Sequence, residues 1–94
     1  MPKREINPNP NPDDEMSITW VTDVAHLPKG DVKQAPGTIG PLMEYGVLTC
    51  VSIVEEGVMT RLAEPHRWID HGPRIRDAVR AAVDLEGWET SSDQ

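Results

Sequence analysis

Phenylalanine is absent from this chain of 94 residues, and tyrosine and cysteine each occur once. With no second thiol, Cys50 has no intramolecular disulfide partner, and no CxxC pair offers a thiolate metal site. No apolar run approaches the roughly 18 residues that a membrane-spanning helix needs. The opening residues Met1-Pro2-Lys3-Arg4-Glu5 lack the apolar stretch of a secretory signal, which predicts a reducing, cytoplasmic setting. Cations are scarce as well: nine Lys and Arg stand against sixteen Asp and Glu, a formal charge of −7. Such a chain repels phosphate backbones and anionic headgroups at long range, so neither nucleic acid nor membrane is expected as a partner. Missing too are a nucleophile elbow, a phosphate-cradling glycine loop and an HExxH pair, so a non-catalytic protein is expected.

What is present is an aliphatic core supply and three tryptophans, Trp20, Trp68 and Trp88, each a large share of any core or interface. A chain this short supports one small domain, and domains near 60 residues bury only about 60% of their unfolded surface. Association with a protein partner or in a homodimer would add to that burial. Residues 1–15, with Asn7-Pro8-Asn9-Pro10-Asn11-Pro12 before Asp13-Asp14-Glu15, read as a solvated tail, because alternating prolines remove backbone donors. The domain is expected over 16–90, with 91–94 frayed.

Within it, Ser17 to Thr22 alternates polar and apolar residues as a half-buried strand does, with Ile18 and Trp20 inward. Residues 23–45 carry Pro28, Gly30, Pro36, Gly37, Gly40 and Pro41, which predicts a long ordered loop holding one short helical turn. Val47–Val54 and Val58–Ala63 form a hairpin through Glu55-Glu56-Gly57, where Gly57 can supply a positive φ. Strict alternation would put Val47, Thr49, Val51 and Ile53 on one face, and Leu48, Cys50, Ser52 and Val54 on the other. Pro73 suits the first helical position, with Asp70 or Gly72 as cap. A helix over 73–86 follows, buried through Ile75, Val79, Ala82 and Val83 and stopped by Gly87, beyond which Trp88 either folds back on the sheet or starts a short edge strand. The predicted fold is α+β: a two-layer sandwich of about three strands with this helix on one face, ordered β-loop-β-β-α.

Polar chemistry gathers in the connection Glu64-Pro65-His66-Arg67-Trp68-Ile69-Asp70-His71-Gly72-Pro73-Arg74-Ile75-Arg76. Two histidines and three arginines at a helix N-terminus make an anion-receptive corner in an acidic protein. The plainer alternative is that Asp70 caps the helix, Asp77 pairs with Arg74 or Arg80, and the arginines serve solubility. His66 and His71, five apart, are candidate ligands for Zn²⁺ or Fe²⁺; surface or capping roles are the commoner fate of such residues. Trp68 either plugs the edge of the core or stands exposed as an interface anchor. Cys50, inside an apolar strand, reads as a small core hydrophobe.

Pro36-Gly37-Thr38-Ile39-Gly40 before Tyr45-Gly46-Val47-Leu48, then Val51-Ser52-Ile53, Gly57-Val58-Met59-Thr60 and the helix residues Ile75, Ala78, Val79 and Val83, resembles the small domains of iron–sulfur cluster assembly, of the SufT and NifU C-terminal types. The resemblance spans Pro36 to Gly87. It implies an α+β sandwich and a functional cysteine in the loop between hairpin and helix. That loop here is His66-Arg67-Trp68-Ile69-Asp70-His71, so no cluster ligand carries over. Residues and resemblance together predict a non-catalytic protein-binding or accessory module using 64–76, with Arg67, Trp68, Arg74 and Arg76 as contacts. The alternative is a metal-handling or iron–sulfur assembly accessory using His66 and His71.

Overall fold

The computed structural model describes residues 5–91. Six strands and two helices follow in the order β1 (Asn7–Asn11), β2 (Asp14–Val21), β3 (Gly30–Gln34), α1 (Ile39–Glu44), β4 (Leu48–Ile53), β5 (Gly57–Leu62), α2 (Trp68–Val83) and β6 (Glu89–Ser91). They build one α+β unit around a single sheet in the order β1-β2-β5-β4-β3-β6, with every neighbouring pair antiparallel. About three strands are expected from the sequence; β1 and β3 are additional, and β6 is the short edge strand, one of the two alternatives beyond Gly87.

The largest correction falls on the supposed tail, because residues 7–11 pair with β2 as an edge strand. Opposed residues in an antiparallel pair alternate between exchanging backbone hydrogen bonds and exchanging none. Pro8 faces Trp20 and Pro10 faces Ile18, while Asn7 and Asn9 face Val21 and Thr19. Prolines cannot donate, so the asparagines hold the ladder and each missing N–H lies on the outer edge. Alternation with a period of two is therefore what lets a proline-rich segment be a strand. Ile6, just before it, is buried in the core.

β3 lacks a sequence signature for a different reason. Only Val32 of its five residues is buried, so the segment carries almost no hydrophobic period. Its extended form is held by bonds to β4 on one side and β6 on the other. The helical turn expected in 23–45 is α1, closed by Gly46 at φ +80°. There the Gly46 N–H reaches Met43 O at 3.2 Å and the Val47 N–H reaches Leu42 O at 3.0 Å, the paired bonds of a glycine-terminated helix.

Register decides which side chains are inside. Trp20, Val58 and Ile53 share a row on the core face, as do Ile18, Thr60 and Val51. A bulge between Leu48 and Cys50 shifts the parity of β4, so Leu48 joins that face opposite Leu62, contrary to strict alternation. Cys50 and Ser52 fall on the other face, and Cys50 is half-buried there rather than in the core. Gly57 does not need a positive φ, as the hairpin reading had it; a Cβ at this position would run into the Trp20 carbonyl of the neighbouring strand. Thr60, fully buried, accepts the Trp20 indole N–H at 2.9 Å, so neither polar group is stranded in the core.

Helix α2 lays Ile75, Ala78, Val79, Ala82 and Val83 onto this face. It starts at Trp68, five residues before the predicted start, and encloses Pro73. The first turn closes through Asp70 N–H and His71 N–H to Arg67 O, at 3.0 and 3.1 Å. Gly72, with no Cβ, relieves part of the clash that keeps residues before proline out of helices. A proline inside a helix costs about 3 kcal/mol. Burial of Ile75, Val79 and Val83 contributes about 5–9 kcal/mol, so packing prevails. Arg67, not Asp70 or Gly72, is the N-cap residue, and no side chain caps the helix. At the other end His26 Nε2 lies 2.9 Å from Val83 O, and the Trp88 indole N–H donates to Ala82 O at 2.9 Å. The expected fraying covers Ser91, which lies in β6, and 92–94, which lie outside the described residues.

Candidate functional site

Residues 64–76 form a corner where β5 hands over to α2, beside the start of β2. Trp68 is the hinge of it. Its ring stands edge-on to Trp20, with centroids 6.0 Å apart at 68°, so it plugs the core margin instead of standing free. Trp68 Nε1 is nevertheless buried without a hydrogen-bond partner. Glu15, Met16, Glu64, Pro65, His66, Arg67 and Trp68 enclose a cleft of about 350 Å³ at this corner.

The four predicted contacts separate. Arg67 and Arg74 are exposed, and neither guanidinium has a carboxylate partner among the described residues. Arg76 is half-buried and turned to Asp77 at 3.3 Å, and Arg80 meets the same carboxylate oxygen at 3.4 Å. So Arg76 is tied up in its own helix, and Trp68 faces inward. Asp77 pairs with Arg80, as the plainer reading had it, and not with Arg74.

Ile69 is the residue that sequence reasoning missed. It is 84% exposed, on the first turn of α2 between Arg67 and Pro73. Extending the buried stripe of Ile75 and Val79 back by helical steps leads to Trp68 and His71, and leaves Ile69 one residue off it. That signal was available once the helix was known to begin at 68; a helix starting at Pro73 hides it. Ile69 and Pro73, four apart, share one exposed side with Arg74 next to them. The patch is thus an apolar pair flanked by two unpaired guanidinium groups, with Asp70 on the turn where the helix dipole favours a carboxylate.

The two histidines do come together. His66 Nδ1 and His71 Nε2 are 3.1 Å apart, and their rings stand nearly perpendicular with centroids separated by 4.8 Å. His71 Nδ1 is buried and has no partner. Among the described residues, no third His, Cys, Asp or Glu completes a cluster with them.

Elsewhere, on the sheet face away from the helices, Asp14 and Ser52 each have polar partners. Asp14 accepts from Arg61 Nε at 2.8 Å, from Ser17 Oγ at 2.9 Å and from Met16 N–H at 3.1 Å, which holds its carboxyl below the usual range, with the Arg61 bond as the main cause. Ser52 Oγ donates to Asp31 at 2.8 Å. Among the described residues no helix is long and apolar enough to cross a membrane. No protein-family model, no curated protein and no solved structure matches the chain.

Proposed function

We propose that this protein is a small binding module that docks onto another protein through the first turns of α2. The observation that carries the reading is Ile69, exposed beside Pro73 between the unpaired Arg67 and Arg74, while Ile75, Ala78, Val79, Ala82 and Val83 of the same helix are buried. A large apolar side chain in water gains about 1.5–3 kcal/mol when fully buried, and a partner can supply that burial. The fitting partner surface has an apolar socket for Ile69 and Pro73, rimmed by carboxylates that receive Arg67 and Arg74. Exposed arginine beside an apolar anchor is the composition that interface cores favour. Because the whole molecule is acidic, attraction to such a surface is confined to short range, within a Debye length of about 8 Å at physiological salt.

Affinity capture from lysate with the tagged protein tests this, using Ile69→Asp and the pair Arg67→Glu/Arg74→Glu beside a Lys33→Glu control. Each substituted position is exposed, so near-ultraviolet circular dichroism is expected to remain that of the starting protein. At least one captured protein is expected to fall tenfold or more with both site variants and to persist with the control. Equal capture by all forms overturns the site, and capture of nothing specific overturns the module.

A further inference from the structure

From the paired imidazoles we infer that His66 and His71 form a two-nitrogen chelate for a borderline divalent transition-metal ion, of which Zn²⁺ is the simplest probe. This reading stands apart from the docking surface, because neither histidine belongs to the exposed patch around Ile69.

Zn–N(imidazole) bonds run at about 2.0–2.1 Å, so two nitrogens on one tetrahedral ion lie roughly 3.3–3.4 Å apart. The observed 3.1 Å between His66 Nδ1 and His71 Nε2 corresponds to an N–Zn–N angle of about 98°, between tetrahedral and octahedral values. An ion at this point takes the place of the single proton that the two nitrogens share in a hydrogen bond. His66 would then carry its proton on Nε2 and His71 on Nδ1. Both side chains are half-buried, and their backbones are already anchored: the His66 N–H bonds Ala63 O at 2.9 Å, and the His71 N–H bonds Arg67 O at 3.1 Å. Little ordering therefore remains to be lost on binding.

His66, though not His71, is part of the wall of the 350 Å³ cleft, which leaves room beside the pair for water or an external donor in the positions that no further ligand among the described residues fills. Glu15 and Glu64 outnumber Arg67 on that wall, which favours a cation over an anion. Imidazole nitrogens suit Zn²⁺, Ni²⁺ and Cu²⁺ over Mg²⁺ or Ca²⁺. The affinity will be modest, since His71 Nδ1 lacks the acceptor that ordinarily braces a ligating histidine.

Calorimetric titration of the untagged full chain with zinc chloride at neutral pH tests the inference, alongside His66→Ala, His71→Ala and, as control, His26→Ala. The starting protein and the His26 variant are expected to take up one ion per chain, with affinity at least tenfold lower in each of the other two. Nuclear magnetic resonance of the starting protein gives a readout free of folding effects: zinc should shift the imidazole signals of His66 and His71 and leave those of His26 in place. Absence of saturable uptake, undiminished affinity in His71→Ala, or unmoved His66 and His71 signals would each overturn the site and leave a plain histidine–histidine hydrogen bond.

Discussion

Asp14 shows how much one side chain can organise on an open sheet face. It accepts three hydrogen bonds from Arg61, Ser17 and the Met16 backbone, and these favour its ionised form. A carboxyl whose folded pKa lies below its unfolded value stabilises the fold above the unfolded value and loses that contribution as pH falls through the folded one. Urea midpoints measured between about pH 2 and pH 6 should therefore decline more steeply in the starting protein than in Asp14→Asn. Identical slopes would show that the Arg61 contact carries no such linkage. Nothing in the sequence around Asp14 announces this role, because its main partner is 47 residues away and is brought near only by the β2–β5 register. The same limit governed Cys50 and Ile69. The face of β4 that carries Cys50 turns away from the helices, and an earlier helix start exposes Ile69.

Elements that obey a period were legible, and elements defined by their neighbours were not. The hairpin of β4 and β5 and the buried stripe of α2 follow from β-branched runs and 3.6-residue spacing. β3 and β6 have no such period and exist because each offers the other a backbone. β1 is the informative case, since its prolines suggest no structure locally yet suit an edge strand. With two outward donors removed, the edge offers fewer sites for another strand, a recurrent protection against edge-to-edge pairing. Replacing Pro8 and Pro10 together by threonine keeps a β-compatible residue at each position and restores both N–H groups. Sedimentation velocity is expected to reveal concentration-dependent association in this double variant beyond that of the starting protein. Unchanged sedimentation would mean that the prolines do not guard the edge.

At the scale of the whole molecule, the radius of gyration is 12.2 Å, close to the roughly 12 Å of a fully collapsed chain of this length. Both ends of the chain supply sheet edges, β1 at one and β6 at the other. Trp88 links the end of α2 to β6: its ring is buried and its N–H caps Ala82 O. Truncation of a buried tryptophan to alanine costs about 3–5 kcal/mol, against a total of about 5–15 kcal/mol for a domain. Trp88→Ala should accordingly lower the free energy of chemical unfolding by at least half that cost, about 2 kcal/mol. A change below about 0.5 kcal/mol, the level of ordinary surface substitutions, would show that the C-terminal strand is peripheral to stability.

By itself the sequence determined the α+β class, the central hairpin, the buried face of the C-terminal helix and the polar connection at 64–76, because periodicity and turn residues act within a few positions of one another. Tertiary structure alone decided the number of strands, the face on which Leu48 and Cys50 lie, the exposure of Ile69, the inward turn of Trp68 and the meeting of His66 with His71. Each of these depends on which backbone lies alongside, or on a helix start held by packing of Trp68 on Trp20, and neither is encoded in residues adjacent along the chain.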